Sequence, residues 1–208
     1  MQATLIRHSQ IPANVDRRYV GRTDQDLTEA GRELAAATEV PEADKVYVSP
    51  YKRCVQTASI MYPNQELIVV DGLKEMDFGI FENRTADEMF DFKPYRDWVD
   101  SMCLDPIPEG ESMAEFDARV DQAFRQIVSE CSDGDNVSLV VHGGTIMSIM
   151  GLYNDEGLQY FDYNLHNCEY FICDVQREPE ISLHRIGGVE PHGNLPPKDE
   201  SEQADEEI

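Results

Sequence analysis

Four short apolar runs recur along this chain with segments of helical period between or after them: QATLIR (2–7), DKVYVS (44–49), ELIVVDG (66–72) and VSLVVHGG (137–144). Runs of four to eight apolar and β-branched residues are short for buried helices and read as strands. LTEAGRELAAAT (27–38) carries Thr28 as the N-cap of an Ala-rich helix, and SPYKRCVQTASIMY offers Ser49 as N-cap with Pro50 at the first helical position. SMAEFDARVDQAFRQIVSEC (112–131) is the clearest helix. In it Ser112 and Glu115 form a capping box, and Met113, Phe116, Val120, Phe124, Ile127 and Cys131 recur at steps of three and four. TIMSIMGLY follows the fourth run as helix, and EYFICDV (169–175) and ISLHRI (181–186) read as closing strands. This alternation predicts an α/β fold, a three-layer α/β/α sandwich around a mostly parallel, doubly wound sheet with one antiparallel edge strand.

The regular alternation breaks between about 76 and 110, where charges, Gly79, Trp98 and DPIPEGES replace it. Short helices forming a small cap insertion over one edge of the sheet are expected there. The 208 residues suffice for one domain with such a cap, spanning 1–186. From Gly187 the chain changes character: GGVEPHGNLPPKDESEQADEEI (187–208) reads as an acidic, flexible tail.

Charge narrows the function. A formal net charge of -24 opposes nucleic acid or anionic membrane as a bulk partner. The five cysteines (Cys54, Cys103, Cys131, Cys168, Cys173) are odd in number and unpaired in spacing, which suits reduced thiols and no metal site. No leader-like segment or run of ~20 apolar residues is present, so a cytoplasmic location is expected.

In an open α/β sheet, ligands bind outside the carboxyl ends of the strands. The first strand ends in Arg7-His8, the second leads into a helix whose first turn holds Arg53, and the fourth ends in His142 before Gly143 and Gly144. Each is weak alone, since strand-end histidines and early-helix arginines are ordinary. Two arginines and two histidines at equivalent strand ends of so acidic a chain form a stronger signal.

A phosphate group suits such a place. Guanidinium forks match phosphate oxygens, and a helix N-terminus after Gly144 adds N–H donors. Neighbouring cations hold an imidazole neutral and therefore nucleophilic. A leaving alkoxide needs a proton, which a carboxylic acid facing phosphate can supply, but composition cannot choose among 41 acidic residues.

These residues fall in a familiar order. LIRHSQIPAN resembles the signature of the histidine phosphatase (phosphoglycerate mutase-like) superfamily, in which an Arg-His pair is closed by an Asn, here Asn14. GRTDQDLTEAGRELA (21–35), VYVSPYKRCVQTA, LKEMDFGIFENRT (73–85), PEGES (108–112) and VVHGGTI resemble the segments that follow in that family. The resemblance covers roughly 3–175. It implies that His8 is the nucleophile, that Arg7, Arg53 and His142 bind the phosphoryl group, and that Glu75 is the proton donor. Asn14, Gly21 and Gly143 would be further substrate contacts, and no metal or other cofactor is required. Three residues depart from the family pattern: Ser9 and Asn83 where Gly is usual, and Phe81 where Trp is usual. Ser9 is costly if that backbone needs positive φ.

The family holds both phosphatases and mutases. The insert at about 82–110 has Arg84, Lys93 and Arg96 among many acids and no Arg-Arg pair, which favours water as the second acceptor. The expected function is metal-independent phosphomonoester hydrolysis through phosphohistidine on His8, acting on a small phosphorylated metabolite. The motifs look most like the α-ribazole phosphatase group, which makes α-ribazole 5′-phosphate the candidate substrate. The alternatives are a cofactor-dependent phosphoglycerate mutase and a non-catalytic phospho-ligand binding protein. Monomer and homodimer are equally compatible. His166, His184 and His192 read as structural or surface groups, and Trp98 with Tyr95 as cap packing with the option of lining the pocket.

Overall fold

A computed structural model describes residues 1–191. Positions 192–208, with His192 and most of the acidic tail, lie outside the described residues.

The elements run in order β1 (Gln2–Arg7), α1 (Pro12–Val15), α2 (Glu29–Ala37), β2 (Lys45–Val48), α3 (Lys52–Met61) and β3 (Leu67–Val69). They continue with α4 (Lys93–Asp100), α5 (Met113–Glu130), β4 (Asn136–Val141), α6 (Gly143–Tyr153), β5 (Tyr170–Gln176) and β6 (Ser182–Gly188). One six-stranded sheet has the order β3-β2-β4-β1-β5-β6. The β1–β4, β2–β4 and β2–β3 pairs are parallel; β1–β5 and β5–β6 are antiparallel. The antiparallel edge is thus a β5–β6 pair, and the strand of opposite sense is β5, one place inside the edge.

Successive strand residues point to opposite faces, and both faces are covered. Ala3, Leu5, Tyr47, Leu139 and Val141 join the cluster built on α5 and α6; Ile6, Val46, Val48 and Val140 pack with Cys54, Ala58 and Tyr62 of α3. The result is the three-layer sandwich, with α2 and α3 opposite α5 and α6. The α6 helix is buried along most of its length, as a sequence without charge and mostly apolar requires.

Local signals account for most boundaries. Thr28 caps α2 by accepting from the Gly31 N–H at 2.9 Å. Ser112 and Glu115 exchange both bonds of the capping box at α5. The exception is α3. Its N-cap is Tyr51, and Ser49 is engaged elsewhere, so the helix starts two residues later than Ser49-Pro50 suggests. At the other end, β6 runs past Ile186 through Gly188, so the first two residues assigned to the tail belong to the sheet. Gly188 has φ +92, and a Cβ there would lie 2.1 Å from the Tyr170 carbonyl, so this close approach to β5 needs glycine.

Between β3 and α5 the chain makes three short 3-10 turns and α4. Phe81 is fully buried there, its ring 5.5 Å from those of both Tyr95 and Trp98. Asn83, at φ +60, occupies a left-handed turn that Gly or Asn tolerates. The segment is tied to the loop after β1 by the Arg18–Thr85 bridge. Among the described residues no helix is long and apolar enough to cross a membrane.

Candidate active site

The strand register brings the basic residues together. In the β1–β4 ladder Arg7 stands opposite Val141, so the next residues, His8 and His142, leave the sheet side by side. Their ring centroids are 5.2 Å apart. Val48 of β2 lies opposite Val140, which delivers Ser49 to the same edge.

His8 is almost wholly buried, and its Nδ1–H donates to the Ser9 carbonyl at 2.7 Å. A carbonyl can only accept, so this bond fixes the tautomer and leaves Nε2 with its lone pair free. Burial, then Arg53 and Arg7, pushes the His8 pKa well below the ordinary histidine value, so the ring is neutral near pH 7.

Arg7 lines the cavity beside His8. Its Nη1 donates to the Leu165 carbonyl, while its buried Nε has no hydrogen-bond partner among the described residues. A buried guanidinium N–H without a partner is unfavourable unless a ligand meets it.

Arg53 and His142 are fully buried behind this wall and hold each other. Arg53 Nε donates to His142 Nδ1 at 3.2 Å, so His142 Nε2–H donates to Ser49 Oγ at 2.7 Å. Arg53 also donates from Nη1 to the Thr23 carbonyl and from Nη2 to the Gly21 carbonyl, at 2.9 and 2.7 Å. Its guanidinium lies 4.5 Å from the Tyr51 ring centroid. Burial and Arg53 hold the His142 pKa far below its usual value.

Glu75 lines the same cavity. Its Oε1 accepts from the Met76 N–H and its Oε2 from the Gly144 N–H, both at 3.0 Å. The N-terminus of α6 therefore gives a donor to this carboxylate as well as facing the cavity. Burial raises the Glu75 pKa against those two bonds and the two arginines.

The remaining candidates have supporting contacts. Asn14 lines the cavity, its Oδ1 accepting from the Ile11 N–H and from Asn167 Nδ2, which leaves its amide N–H groups for a ligand. Gly143 lines the cavity beside the Arg7 guanidinium. Gly21 does not line it: its carbonyl holds Arg53, its N–H donates to Glu82, and a Cβ there would lie 1.8 Å from the Met76 carbonyl. Its place is to position Arg53. The Ser9 hydroxyl points away from the site, donating to the Gly31 carbonyl at 2.6 Å, and its φ is not positive.

Several residues escaped the sequence reading. Arg119 donates to both Glu111 oxygens, at 2.9 and 2.7 Å, and to the carbonyls of Gly72 and Lys74. It clamps the segment that ends in Glu75. Arg18, Tyr160 and Asn164 also line the cavity. The one available signal was Glu111 within PEGES; Arg119 looks in sequence like any polar-face residue of a helix. His184 lies outside the site, with Nδ1 3.0 Å from Asp155.

The family model described as histidine phosphatase superfamily (branch 1) matches residues 3–185. A Hydrogenobacter thermophilus protein provisionally named phosphoserine phosphatase 2 is 32% identical over 186 residues, covering 86% of this chain and 90% of the relative. GpmB of Enterobacter sp. strain 638, provisionally named a phosphoglycerate mutase, is 30% identical over 217 residues, covering 96% and 98%. In fold, the chain is similar to a solved Escherichia coli K-12 structure provisionally named α-ribazole-5′-P phosphatase. The TM-score is 0.76 at 24% identity, over 93% of this chain and 97% of that one.

Proposed function

The chain belongs to the histidine phosphatase superfamily, branch 1, and, taking it as a phosphatase of that family, we propose that it hydrolyses small phosphomonoesters without a metal ion through phosphohistidine at Nε2 of His8. The observation that carries the reading is the pairing of a fixed, neutral imidazole with an adjacent guanidinium N–H that has no partner among the described residues.

In this mechanism Nε2 of His8 bonds to phosphorus as the ester P–O bond breaks. The departing oxygen takes the proton of the Glu75 carboxyl, whose raised pKa keeps a protonated fraction available. Arg7 and Asn14, which line the cavity, meet the equatorial oxygens, and Arg53 adds its positive charge from behind them with His142 holding its guanidinium in place. A water then gives its proton to the Glu75 carboxylate and attacks phosphorus. The P–N bond breaks, its electron pair returns to Nε2, and inorganic phosphate leaves.

Water is favoured over a second phosphate acceptor by the fate of the cap cations. Arg84 lies over the Phe92 ring and bonds the Glu88 carbonyl, Lys93 pairs with Asp97, and neither residue lines the cavity. Among metabolites, α-ribazole 5′-phosphate is the first candidate on the resemblance of its motifs, and O-phosphoserine the second on the name of a relative. The test is hydrolysis of an aryl phosphate in EDTA. Turnover that His8→Ala abolishes supports the reading; no wild-type turnover points to phospho-ligand binding alone. Bisphosphoglycerate-dependent exchange of 3- and 2-phosphoglycerate faster than hydrolysis would overturn it in favour of a mutase.

A further inference from the structure

Beyond the phosphoryl end, the cavity of about 270 Å³ is walled by Tyr19, Phe78 and Trp98 on one side and by Met147, Tyr160 and Phe161 on the other. Its charged groups are few. Arg7 and Glu75 sit at the reacting end, and Arg18, the further cation among the described lining residues, is already bound to Glu88 and the Asn83 carbonyl, both at 2.9 Å. A carboxylate or ammonium on the leaving alcohol would therefore be desolvated here against apolar side chains without a free counter-charge. Trp98 lines the cavity with only 6% of its surface exposed, so its ring is a preformed apolar face.

From this wall we infer that the preferred substrates are phosphomonoesters of uncharged, ring-bearing alcohols, the ring packing on Trp98 and Phe161. The inference rests on the phosphatase reading and specifies its substrate class. Size agrees: a cavity of about 150 Å³ admits benzene, so 270 Å³ takes one or two fused rings beside the phosphoryl group.

The experiment compares primary-alcohol esters, so that leaving-group acidity does not dominate: 2-naphthylmethyl phosphate against glycerol 3-phosphate and O-phosphoserine. The expected kcat/KM advantage of the ring ester is about 100-fold, the scale set by burying one aromatic face. Phe161→Lys, at a half-exposed position, is expected to reduce that advantage at least tenfold, mainly through KM. Equal rates on the three esters, or preference for phosphoserine, overturn the inference while leaving the phosphatase reading intact. Failure of all three esters, with no phosphoryl label on His8, overturns both.

Discussion

The Gly144 N–H donates to Oε2 of Glu75 at 3.0 Å, and a Cβ at position 144 would lie 2.2 Å from Oε1. Position 144 must be glycine here because a carboxylate occupies the space a side chain would take. In an ordinary helix, Gly→Ala gains about 0.5–1 kcal/mol. In Gly144→Ala the mobile end of Glu75 would move aside, so thermal stability should change little. Proton delivery should suffer, with kcat on an alkyl phosphate falling by roughly 10²-fold. Unchanged kcat would show that Glu75 need not stand there.

In the proposed mechanism Arg119 would be a positioning residue that acts through Glu75. Arg119→Lys keeps the charge and loses the two-pronged contact to Glu111 and the paired carbonyl bonds. The expected loss is about tenfold in kcat with KM nearly constant. It should be greater for alkyl than for nitrophenyl esters, since the latter need little protonation. A loss equal for both ester classes would argue for a merely structural role.

The pH–rate profile should separate the two reacting groups. His8, held neutral by burial and two arginines, should impose no loss of activity near pH 6.5, where an ordinary histidine would. Glu75 must be protonated to act, and its pKa is raised, so the alkaline limb should begin above the usual carboxylate range. With p-nitrophenyl phosphate that limb should flatten, and in Glu75→Gln it should vanish.

Stability should follow the two buried histidines in the acid direction. Both have folded-state pKa values depressed by burial first. Above about pH 6.5 they are neutral in folded and unfolded chains alike, and stability is full. Below it, only the unfolded chain takes up protons at these two sites, so stability falls as pH drops towards the folded pKa values. The slope is about 1.4 kcal/mol per pH unit for each histidine. Denaturant titrations at pH 6.0 and 5.0 would measure it, with His142→Gln as the comparison.

Ser9→Ala should register in stability. It strips the hydroxyl that donates to the Gly31 carbonyl at 2.6 Å and leaves that acceptor short of a partner, a loss of about 1–2 kcal/mol. Melting temperature reads this directly. A large fall in activity of the folded enzyme would place the hydroxyl in the phosphate site.

The convergence of Arg7, His8, Arg53 and His142 was legible because strand ends in a wound sheet share one edge, whatever the loops do. Glu75 was legible only through the family motif, since nothing local distinguishes one carboxylate from forty others. What sequence concealed was how the parts are secured. Ser49 looks like a helix cap by local rules, but its hydroxyl is taken by His142 from a strand far along the chain. Gly21 looks like a phosphate-loop glycine and instead presents a carbonyl to Arg53. Arg119 carries no local mark, because its partners Gly72, Lys74 and Glu111 meet only when α5 packs on the segment after β3. The cap reads as disordered in period because its order comes from aromatic edges, not from a repeat.

The central strand has a consequence for how the molecule comes into being. Of the six strands β1 leaves the ribosome first, yet Arg7 pairs with Val141 and Ile6 with Tyr170. Arg7 and His8 are further held by Leu165 and Asn167. The proposed nucleophile therefore waits, with its strand edges bare, until β4 and β5 have emerged, and pairings so distant in sequence close slowly. Catalytic competence should arrive abruptly once β5 has emerged, and ribosome-arrested chains lacking β5 should be inert and prone to capture by chaperones.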